Sequence, residues 1–322
     1  MKKLYQFVLV MIAFIITFIY FYLYDIKYDG YVVGIIKCAS FPPIDEAVKN
    51  FTDTLKELSR HKKVKFVTLN AENSPVNAHI IAQKFANDPE INAFFTTDTV
   101  TTQALSSLEK KRPIVFMAVE NPKEIGLLEK GTNVCGITDR IPPSAARELL
   151  ELLKDSKDQI VGLLTKNETS RKALLMEVIK ELKDHGHRVM VFTPLNEMEL
   201  LEQLESIMSK VDILFAPVPD SMIGATLGVI TKEAQQKNIP FLVSLEHGAI
   251  LGALASRGTN YPKNGSAAAV MMYDILERKK RPYEFALQPG GYDTIYINKT
   301  ALSLFGENKI VRPQSHTNII FV

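Results

Sequence analysis

The chain has 322 residues, enough for two units that each bury a core, and its 46% hydrophobic and 23% charged residues give a globular composition, not a disordered one. The formal net charge of +2 argues against a nucleic-acid partner, because such partners need a strong basic field. Two cysteines imply no disulfide framework. Cys38 and Cys135 lie in apolar, strand-like runs, so we expect buried thiols, and a single disulfide between them stays open.

The chain begins with an uncharged apolar run. Residues 4–24 follow Met1, Lys2 and Lys3 and are about as long as a helix that spans a bilayer. No small-x-small cleavage site and no lipid-accepting cysteine follow, so residues 1–28 are predicted to form an uncleaved signal-anchor, with a cleaved signal peptide as the alternative. Lys2 and Lys3 hold the N-terminus in the cytoplasm. The rest of the chain is then extracytoplasmic, in the periplasm or on the outer face of the cytoplasmic membrane.

Short apolar runs typical of buried strands alternate with helical repeats from residue 31 onward. The first series has predicted strands at residues 31–37, 64–69, 91–96, 113–119 and 133–138. The second series has predicted strands at residues 159–165, 188–193, 211–216 and 239–244, and the chain continues with a strand at 251–256, a helix at 265–277 and a strand at 292–298. This alternation predicts an α/β protein of two lobes, each a parallel sheet flanked by helices, joined by chain crossings that form a hinge.

Polar residues collect directly after the predicted strands, where ligands bind in open parallel sheets. The candidate ligand contacts chosen on this basis are Ser40, Phe41, Asn70, Glu72, Thr97, Asp98, Thr99, Glu120, Asp139, Asp220, Ser221 and Glu246. Their carboxylates suit a ligand amine, free helix N–H groups suit a ligand carboxylate, and Phe41 suits an apolar or aromatic side chain. Helix capping is the alternative use of the hydroxyl groups, above all for Thr97, Thr99 and Ser221.

Signatures of catalysis and of cofactor binding are missing from the sequence. There is no G-x-x-x-x-G-K-[ST], no G-x-S-x-G, no H-E-x-x-H and no dinucleotide fingerprint after the first strand. His247 beside Glu246 is the one histidine in a strand-end cluster, and an enzyme that uses these two residues with Asp220 is kept as an alternative. His185 and His187 are expected in a solvated loop. We therefore predict a protein that is not an enzyme, with no cofactor and no metal site.

Six stretches of the chain resemble one family. They are Asn-Ala-Glu at residues 70–72, IAQKFANDPEINAFFTTDTVTTQAL at 81–105, PIVFMAVENPKEIGLL at 113–128, NVCGITDRIPP at 133–143, KVDILFAPVPDSM at 210–222 and GALASRGTNYPKNG at 252–265. In their order and spacing they are similar to the ABC-transporter substrate-binding family that includes tryptophan- and tyrosine-binding proteins. The resemblance covers about residues 31–306.

The resemblance implies a two-lobed periplasmic-binding-protein-like fold with three interlobe crossings. Lobe I is then expected at residues 29–140 and 250–283, and lobe II at residues 141–249 and 284–310, with a C-terminal tail at 311–322 outside the family pattern. It also implies a ligand held in the interlobe cleft, namely an amino acid or related small molecule, aromatic amino acids included. The implied partners are an ABC permease, to which the ligand is delivered, and a separate ATPase.

The family pattern also adds Tyr261 to the candidate contacts, at the wall of the cleft. Two departures leave the ligand's identity open, because Asn121-Pro122 stands where the family often has Asp-Pro, and Asn260-Tyr261 where it often has Asp-Tyr. The alternative function is a membrane-tethered ligand sensor of the same fold that signals to a partner protein.

Overall fold

The computed structural model describes residues 30–40, 42–165, 169–217, 221–306, 309–310 and 318–322, with the single residues 11 and 15. The predicted signal-anchor at residues 1–28 lies almost wholly outside this part of the chain. Among the described residues, no helix is both long and apolar enough to cross a membrane. Contacts divide the chain into a first unit of Met1–Met117, Pro122–Gly136 and Gly265–Leu287, and a second unit of Ala118–Asn121, Ile137–Asn264 and Gln288–Val322.

Strands and helices alternate through both units. In chain order they are β1 (Gly30–Lys37), α1 (Pro42–Leu58), β2 (Lys63–Asn70), α2 (Pro75–Ala86), β3 (Ala93–Thr96), α3 (Thr99–Leu108), β4 (Ile114–Met117), β5 (Val134–Thr138), α4 (Pro143–Leu150), β6 (Ile160–Leu164), α5 (Thr169–Asp184), β7 (Arg188–Phe192), α6 (Glu197–Met208), β8 (Ile213–Ala216), α7 (Ser221–Gln236), β9 (Phe241–Val243), β10 (Ala255–Ser256), α8 (Tyr261–Leu276), a 3₁₀ turn (Pro282–Glu284), β11 (Gln288–Pro289), β12 (Thr294–Ile297), α9 (Lys299–Phe305) and β13 (Asn318–Phe321).

Each unit is built on a sheet with the same doubly wound strand order. The first sheet runs β2-β1-β3-β4-β5-β11, and the second runs β7-β6-β8-β9-β10-β12-β13. β1 pairs in parallel with β2 and β3, and β6 pairs in parallel with β7 and β8, whereas β12 is antiparallel to β10. The predicted fold class is therefore confirmed. In each sheet the strand order reverses beside the first strand, between β1 and β3 and between β6 and β8.

The first sheet is held by aromatic packing around β1, whose six central residues are all buried. Phe51 of α1 stacks on Phe95 of β3, with ring centroids 4.0 Å apart. On the other face Gly34 lies against Phe85 and Phe94, where an added Cβ would come within 2.9 Å of one ring and 3.1 Å of the other. A strand covered on both faces needs the continuous apolar run that the sequence shows here.

The second sheet is also covered on both faces. Leu163 of β6 and Phe215 of β8 belong to the core cluster on one face, and their neighbours Leu164 and Leu214 belong to the cluster on the other. This alternation follows from the two-residue period of a strand. In the central strands of both sheets, polar groups can therefore emerge only at the strand ends.

The second unit holds a segment that the sequence assigned to lobe I. Residues 250–264 are in this unit because Ala255 of β10 pairs with β9 on one side and with β12 on the other. β10 is also shorter than the predicted strand at residues 251–256, and α8 begins at Tyr261, earlier than predicted. The end of the C-terminal tail forms β13, which pairs in parallel with β12.

The two cysteines are free and buried, which favours the prediction of unbonded thiols. Burial raises the pKa of the Cys38 thiol, and it raises that of Cys135 to about 12. Both side chains are therefore uncharged thiols at neutral pH. The prediction for His187 was wrong, because this side chain is buried and not solvated, and burial lowers its imidazole pKa.

A largely buried ion pair connects the end of α3 to the end of α2. Arg112 Nε donates to Glu109 Oε2 at 2.6 Å, and its terminal nitrogens donate to backbone carbonyls of Ala86, Asp88 and Ile91. Burial acts to raise the pKa of Glu109. Hydrogen bonds from two backbone N–H groups and the guanidinium outweigh burial and hold that pKa below its ordinary value.

We predict that Glu109→Gln lowers the free energy of unfolding at pH 7 by about 2 kcal/mol, because hydrogen bonds to a charged group are lost inside the protein. A carboxyl whose folded pKa is depressed stabilises the fold above its ordinary pKa and loses that effect as the pH falls. The difference from wild type should therefore shrink between about pH 5 and pH 2, as measured by urea unfolding followed by circular dichroism.

The matched control is Glu57→Gln. Glu57 pairs with Arg60 at the same three-residue spacing, but its side chain is 68% exposed, so a loss of less than about 1 kcal/mol is expected. Equal losses of unfolding free energy in the two variants would contradict a stabilising role for the pair of Glu109 and Arg112.

Candidate functional site

The carboxyl edge of the first sheet is the place where polar side chains gather around the reversal of strand order. β1 ends at Lys37 and β3 ends at Thr96, and the chain then departs into α1 and α3. Crevices at such reversals are the usual ligand sites of open parallel sheets.

Ser40, predicted from the sequence, lies in a network at the end of β1. Its hydroxyl accepts from Lys37 Nζ at 2.7 Å and from Asn70 Nδ2 at 3.3 Å, and Lys37 Nζ also donates to Asp45 Oδ1 of α1 at 2.5 Å. Asn70 in turn accepts from the backbone N–H of Glu72 at 3.0 Å. Ser40 and Glu72 are exposed, so this network presents a hydroxyl, an amide and a carboxylate at the sheet edge.

Three predicted residues at the end of β3 have different environments. Thr97 is fully buried, and its hydroxyl accepts from the backbone N–H of Cys38 at 3.0 Å, which favours a structural role. Asp98 is the N-cap of α3, and its Oδ1 accepts from the backbone N–H of Thr101 at 2.8 Å and from the hydroxyl of Thr101. These capping bonds use Oδ1 alone. Thr99 is half-buried at the start of α3.

A cavity of about 110 Å³ opens between these strand ends. It is lined by Cys38, Ala71, Asn73, Ser74, Ala78, Asp98, Val100 and Thr101. Its volume approaches that of an apolar cavity of roughly 150 Å³ that holds one benzene ring. The wall combines small apolar groups with one carboxylate and several polar side chains.

The backbone beside the cavity is strained. Glu72 and Asn73 have φ values of 53° and 55°, a left-handed backbone conformation that residues other than glycine rarely adopt. A hydrogen bond from the Asn73 N–H to the Cys38 carbonyl, 2.7 Å long, holds the turn closed. Strain of this kind concentrates at ligand-binding sites.

In the second unit, three predicted residues come together around the end of β5. The carbonyl of Glu120 accepts from the Thr138 hydroxyl at 3.0 Å, and the carbonyl of Asp139 accepts from the Thr259 hydroxyl at 3.1 Å. The Tyr261 hydroxyl donates to Asp139 Oδ2 at 3.5 Å. All three residues are half-buried, so contact with a ligand stays a prediction for each of them.

Glu246 has an environment unlike that of the other predicted contacts. It is 7% exposed, and its Oε1 accepts from Asn260 Nδ2 at 2.6 Å and from the Tyr296 hydroxyl at 3.4 Å. Burial raises the pKa of Tyr296, and the charge of Glu246 adds to that effect. The carboxylate therefore braces the segment before α8, a role that the sequence did not indicate.

The structure describes little or nothing of the three remaining predicted ligand contacts. Phe41 and Asp220 are outside the described residues, and Ser221 begins α7 without a described side chain. They stay predictions. In the part of the chain that the structure does describe, no group of three or more His, Cys, Asp or Glu side chains is placed to hold a metal ion.

Comparison with known proteins agrees with this architecture. The family model for the ABC transporter substrate binding protein matches residues 32–310. The chain belongs to this family. Members of the family are substrate-binding, extracytoplasmic proteins, which agrees with the predicted compartment. A tyrosine-binding protein from Clostridioides difficile (strain R20291) is 28% identical over 253 residues, which cover 77% of this chain and 73% of that protein.

Two solved structures are close in fold. The ligand-free, open structure of a substrate binding protein with adhesive properties from Clostridium difficile has a TM-score of 0.76 and 25% identity, and covers 91% of this chain and 99% of that chain. An ABC domain from Streptococcus pneumonia in complex with L-Trp has a TM-score of 0.72 and 22% identity, and covers 90% of this chain and 100% of that chain. At this identity the second likeness shows the fold alone.

We predict that Glu246→Gln lowers the free energy of unfolding by about 1.5–3 kcal/mol, because a buried charged hydrogen bond to Asn260 is lost. It should also move the pKa of Tyr296 part of the way back toward its ordinary value, since burial remains. The measurement is the alkaline absorbance titration of tyrosine, with Tyr296→Phe used to isolate this residue.

Glu205→Gln is the control, because that carboxylate is 82% exposed in the same unit. It should change the unfolding free energy by less than about 1 kcal/mol and leave the Tyr296 titration unchanged. A Glu246→Gln variant as stable as wild type would contradict the bracing role.

Proposed function

We propose that this chain is the extracytoplasmic receptor of an ABC importer for an aromatic amino acid, tyrosine or tryptophan. It would deliver that amino acid to a permease driven by a separate ATPase. The observation that carries the proposal is the ring-sized cavity at the carboxyl edge of the first sheet, which Asp98 lines. Lys37 and Ser40 belong to the polar network at the end of β1, at the same edge. The tyrosine-binding relative supports the choice of an aromatic amino acid.

The polar groups around the cavity match the two charges of an amino acid. Asp98 keeps one carboxylate oxygen outside its capping bonds, and this oxygen suits the ligand's ammonium group. The N-terminus of α3 and the Ser40 hydroxyl suit the ligand's carboxylate. The apolar part of the wall, including Ala78 and Val100, suits an aromatic ring. Phe41 and Tyr261 remain proposed stacking partners.

Several predicted residues that do not line the cavity are also part of the proposal. Asn70, Glu72 and Thr99 belong to the same edge as the cavity, and Glu120, Asp139, Asp220 and Ser221 are proposed as further polar contacts from the second unit. Residues 1–28 are proposed as the membrane tether. The sensor alternative shares the fold, and neighbouring genes for a permease and an ATPase, instead of a kinase, would separate the two.

The first experiment is isothermal titration of the chain with tyrosine, tryptophan, phenylalanine, leucine, glutamate, a sugar and a nucleoside. We expect tyrosine or tryptophan to bind with one site and to raise the melting temperature, because ligand at 100 times its dissociation constant adds about 2.7 kcal/mol of stability. Binding of glutamate, sugar or nucleoside alone, or of nothing in the panel, would overturn the proposed ligand.

The role of Asp98 is tested by Asp98→Asn. Asparagine caps a helix as well as aspartate does, so the melting temperature should stay within about 2 °C of wild type. The affinity for tyrosine or tryptophan should fall about 10- to 100-fold, because the charged hydrogen bond to the ammonium group is lost.

Asp88→Asn is the matched control for this variant. Asp88 precedes β3 at the opposite edge of the same sheet, where its Oδ1 accepts from the Glu90 N–H at 2.9 Å. The affinity of the Asp88→Asn variant for tyrosine or tryptophan should equal that of wild type. Unchanged affinity in Asp98→Asn would remove Asp98 from the site.

A further inference from the structure

Two basic runs that are far apart in the sequence meet at the amino edge of the first sheet. One follows α1 and the other follows α8. The Tyr31 hydroxyl donates to the Leu276 carbonyl at 3.1 Å, and Lys62 Nζ donates to the Tyr31 hydroxyl at 3.0 Å. These bonds join the start of β1 to both runs. The resulting basic collar consists of Arg60, Lys62, Lys63, Arg278, Lys279, Lys280 and Arg281.

The collar is exposed and carries an excess of positive charge. The side chains of Arg60 and Arg278 are 73% and 69% exposed, and Lys62, Lys63, Lys279 and Arg281 are exposed as well. The acidic residues within four sequence positions of the two runs are Glu57, Asp274, Glu277 and Glu284, four against seven basic side chains. The formal net charge of the whole chain is +2, so this face is more basic than the average surface.

Helix capping explains why basic residues follow α8, but it does not explain why the two basic runs lie side by side. Lys279 Nζ donates to the Leu276 carbonyl at 2.6 Å, and Arg278 pairs with Asp274, as expected for cations at a helix C-terminus. The run at residues 60–63 comes from a different helix end, and nothing about the cap of α8 requires it to lie alongside.

The collar surrounds the point at which the chain enters the first unit from its apolar run. Gly30 begins β1 opposite Lys63 in the strand register. Only the five residues 25–29 separate Gly30 from the end of the apolar run at Tyr24. The six Cα–Cα steps from Tyr24 to Gly30 reach at most about 22 Å when fully extended. If residues 4–24 span the membrane, as proposed above, Gly30 is held within that distance of the headgroups, with the collar around it.

We propose that the basic collar binds the anionic phospholipid surface of the membrane that carries the N-terminal segment. Each lysine or arginine close to an anionic leaflet strengthens binding by about fivefold, and the attraction falls off within a Debye length of about 8 Å at physiological salt. The collar then fixes the orientation of the first unit at the membrane. Its carboxyl edge, with the candidate site, faces away from the lipid.

The experiment uses the full chain in nanodiscs of phosphatidylcholine, with or without 30% phosphatidylglycerol. Acetylation rates of Lys62, Lys279 and Lys280 are measured by mass spectrometry, with Lys210 and Lys232 of the second unit as internal references. We expect the collar lysines to react at least about fivefold more slowly in the anionic discs. The difference should disappear in 1 M salt, where the Debye length is about 3 Å.

Two quadruple variants make the test specific. R60Q/K63Q/R278Q/R281Q keeps the three reporter lysines, and at about fivefold per residue it should weaken the contact several hundred-fold and abolish the protection. K154Q/K157Q/K172Q/K183Q also takes the net charge from +2 to −2, but through exposed side chains of the second unit other than the two reference lysines, and should keep the protection. An unchanged circular dichroism spectrum and an unchanged melting temperature in the first variant show that it is folded.

Three outcomes would overturn the proposal. Equal acetylation in both kinds of disc would show that no anionic lipid is bound. Protection that survives 1 M salt would show shielding by the tether alone. Protection by soluble polyphosphate in neutral discs, without protection by anionic discs, would assign the collar to an anionic polymer. None of these outcomes depends on whether the chain binds an amino acid.

Discussion

The burial of β1 on both faces is the constraint on which the first unit depends. Six of its eight residues are buried, and Gly34 leaves room for two phenylalanine rings that would collide with any larger side chain. A strand in this position can carry functional groups only at its ends. Lys37, at the end of β1, is the first side chain of the strand outside the core, and it contacts Ser40 and Asp45. The chemistry of the unit is therefore confined to two edges.

At the carboxyl edge, the same side chains serve the fold and the candidate site. Asp98 caps α3 through one oxygen, and this bond orients the other oxygen without a separate supporting residue. Thr97 contributes its hydroxyl to the Cys38 N–H and so fixes the loop on which Asp98 stands. Glu246 represents the other extreme, because its carboxylate is buried and contacts Asn260 and Tyr296. A carboxylate at a strand end is thus not by itself evidence of ligand contact.

The sequence was sufficient for the sheet architecture, because buried parallel strands need continuous apolar runs and the helices between them need a 3.6-residue repeat. It also located Ser40 and Asp98 at the edge where they are found. It missed Lys37, which looks like the last residue of an apolar run. It missed the partners of Glu246, which are 14 and 50 positions away and meet it only through the packing of β10 and β12.

The sequence could not decide the unit of residues 250–264 for a related reason. β10 has only two residues, and its membership of the second sheet is decided by its pairing with β9 and β12, not by any pattern of its own. Short strands carry too few side chains for a periodicity to be read.

The two edges of the first sheet differ in charge because all helices between parallel strands point the same way. Helix N-termini, with their free N–H groups, meet at the carboxyl edge, where α2 and α3 are capped by Ser74 and Asp98. Helix C-termini meet at the amino edge, where the macrodipole favours cations and where the collar follows α1 and α8. One topological rule thus places the ring-sized cavity at one end of the unit and the basic collar at the other. A tether that enters the unit at its amino edge, as proposed, would leave the carboxyl edge clear of the membrane.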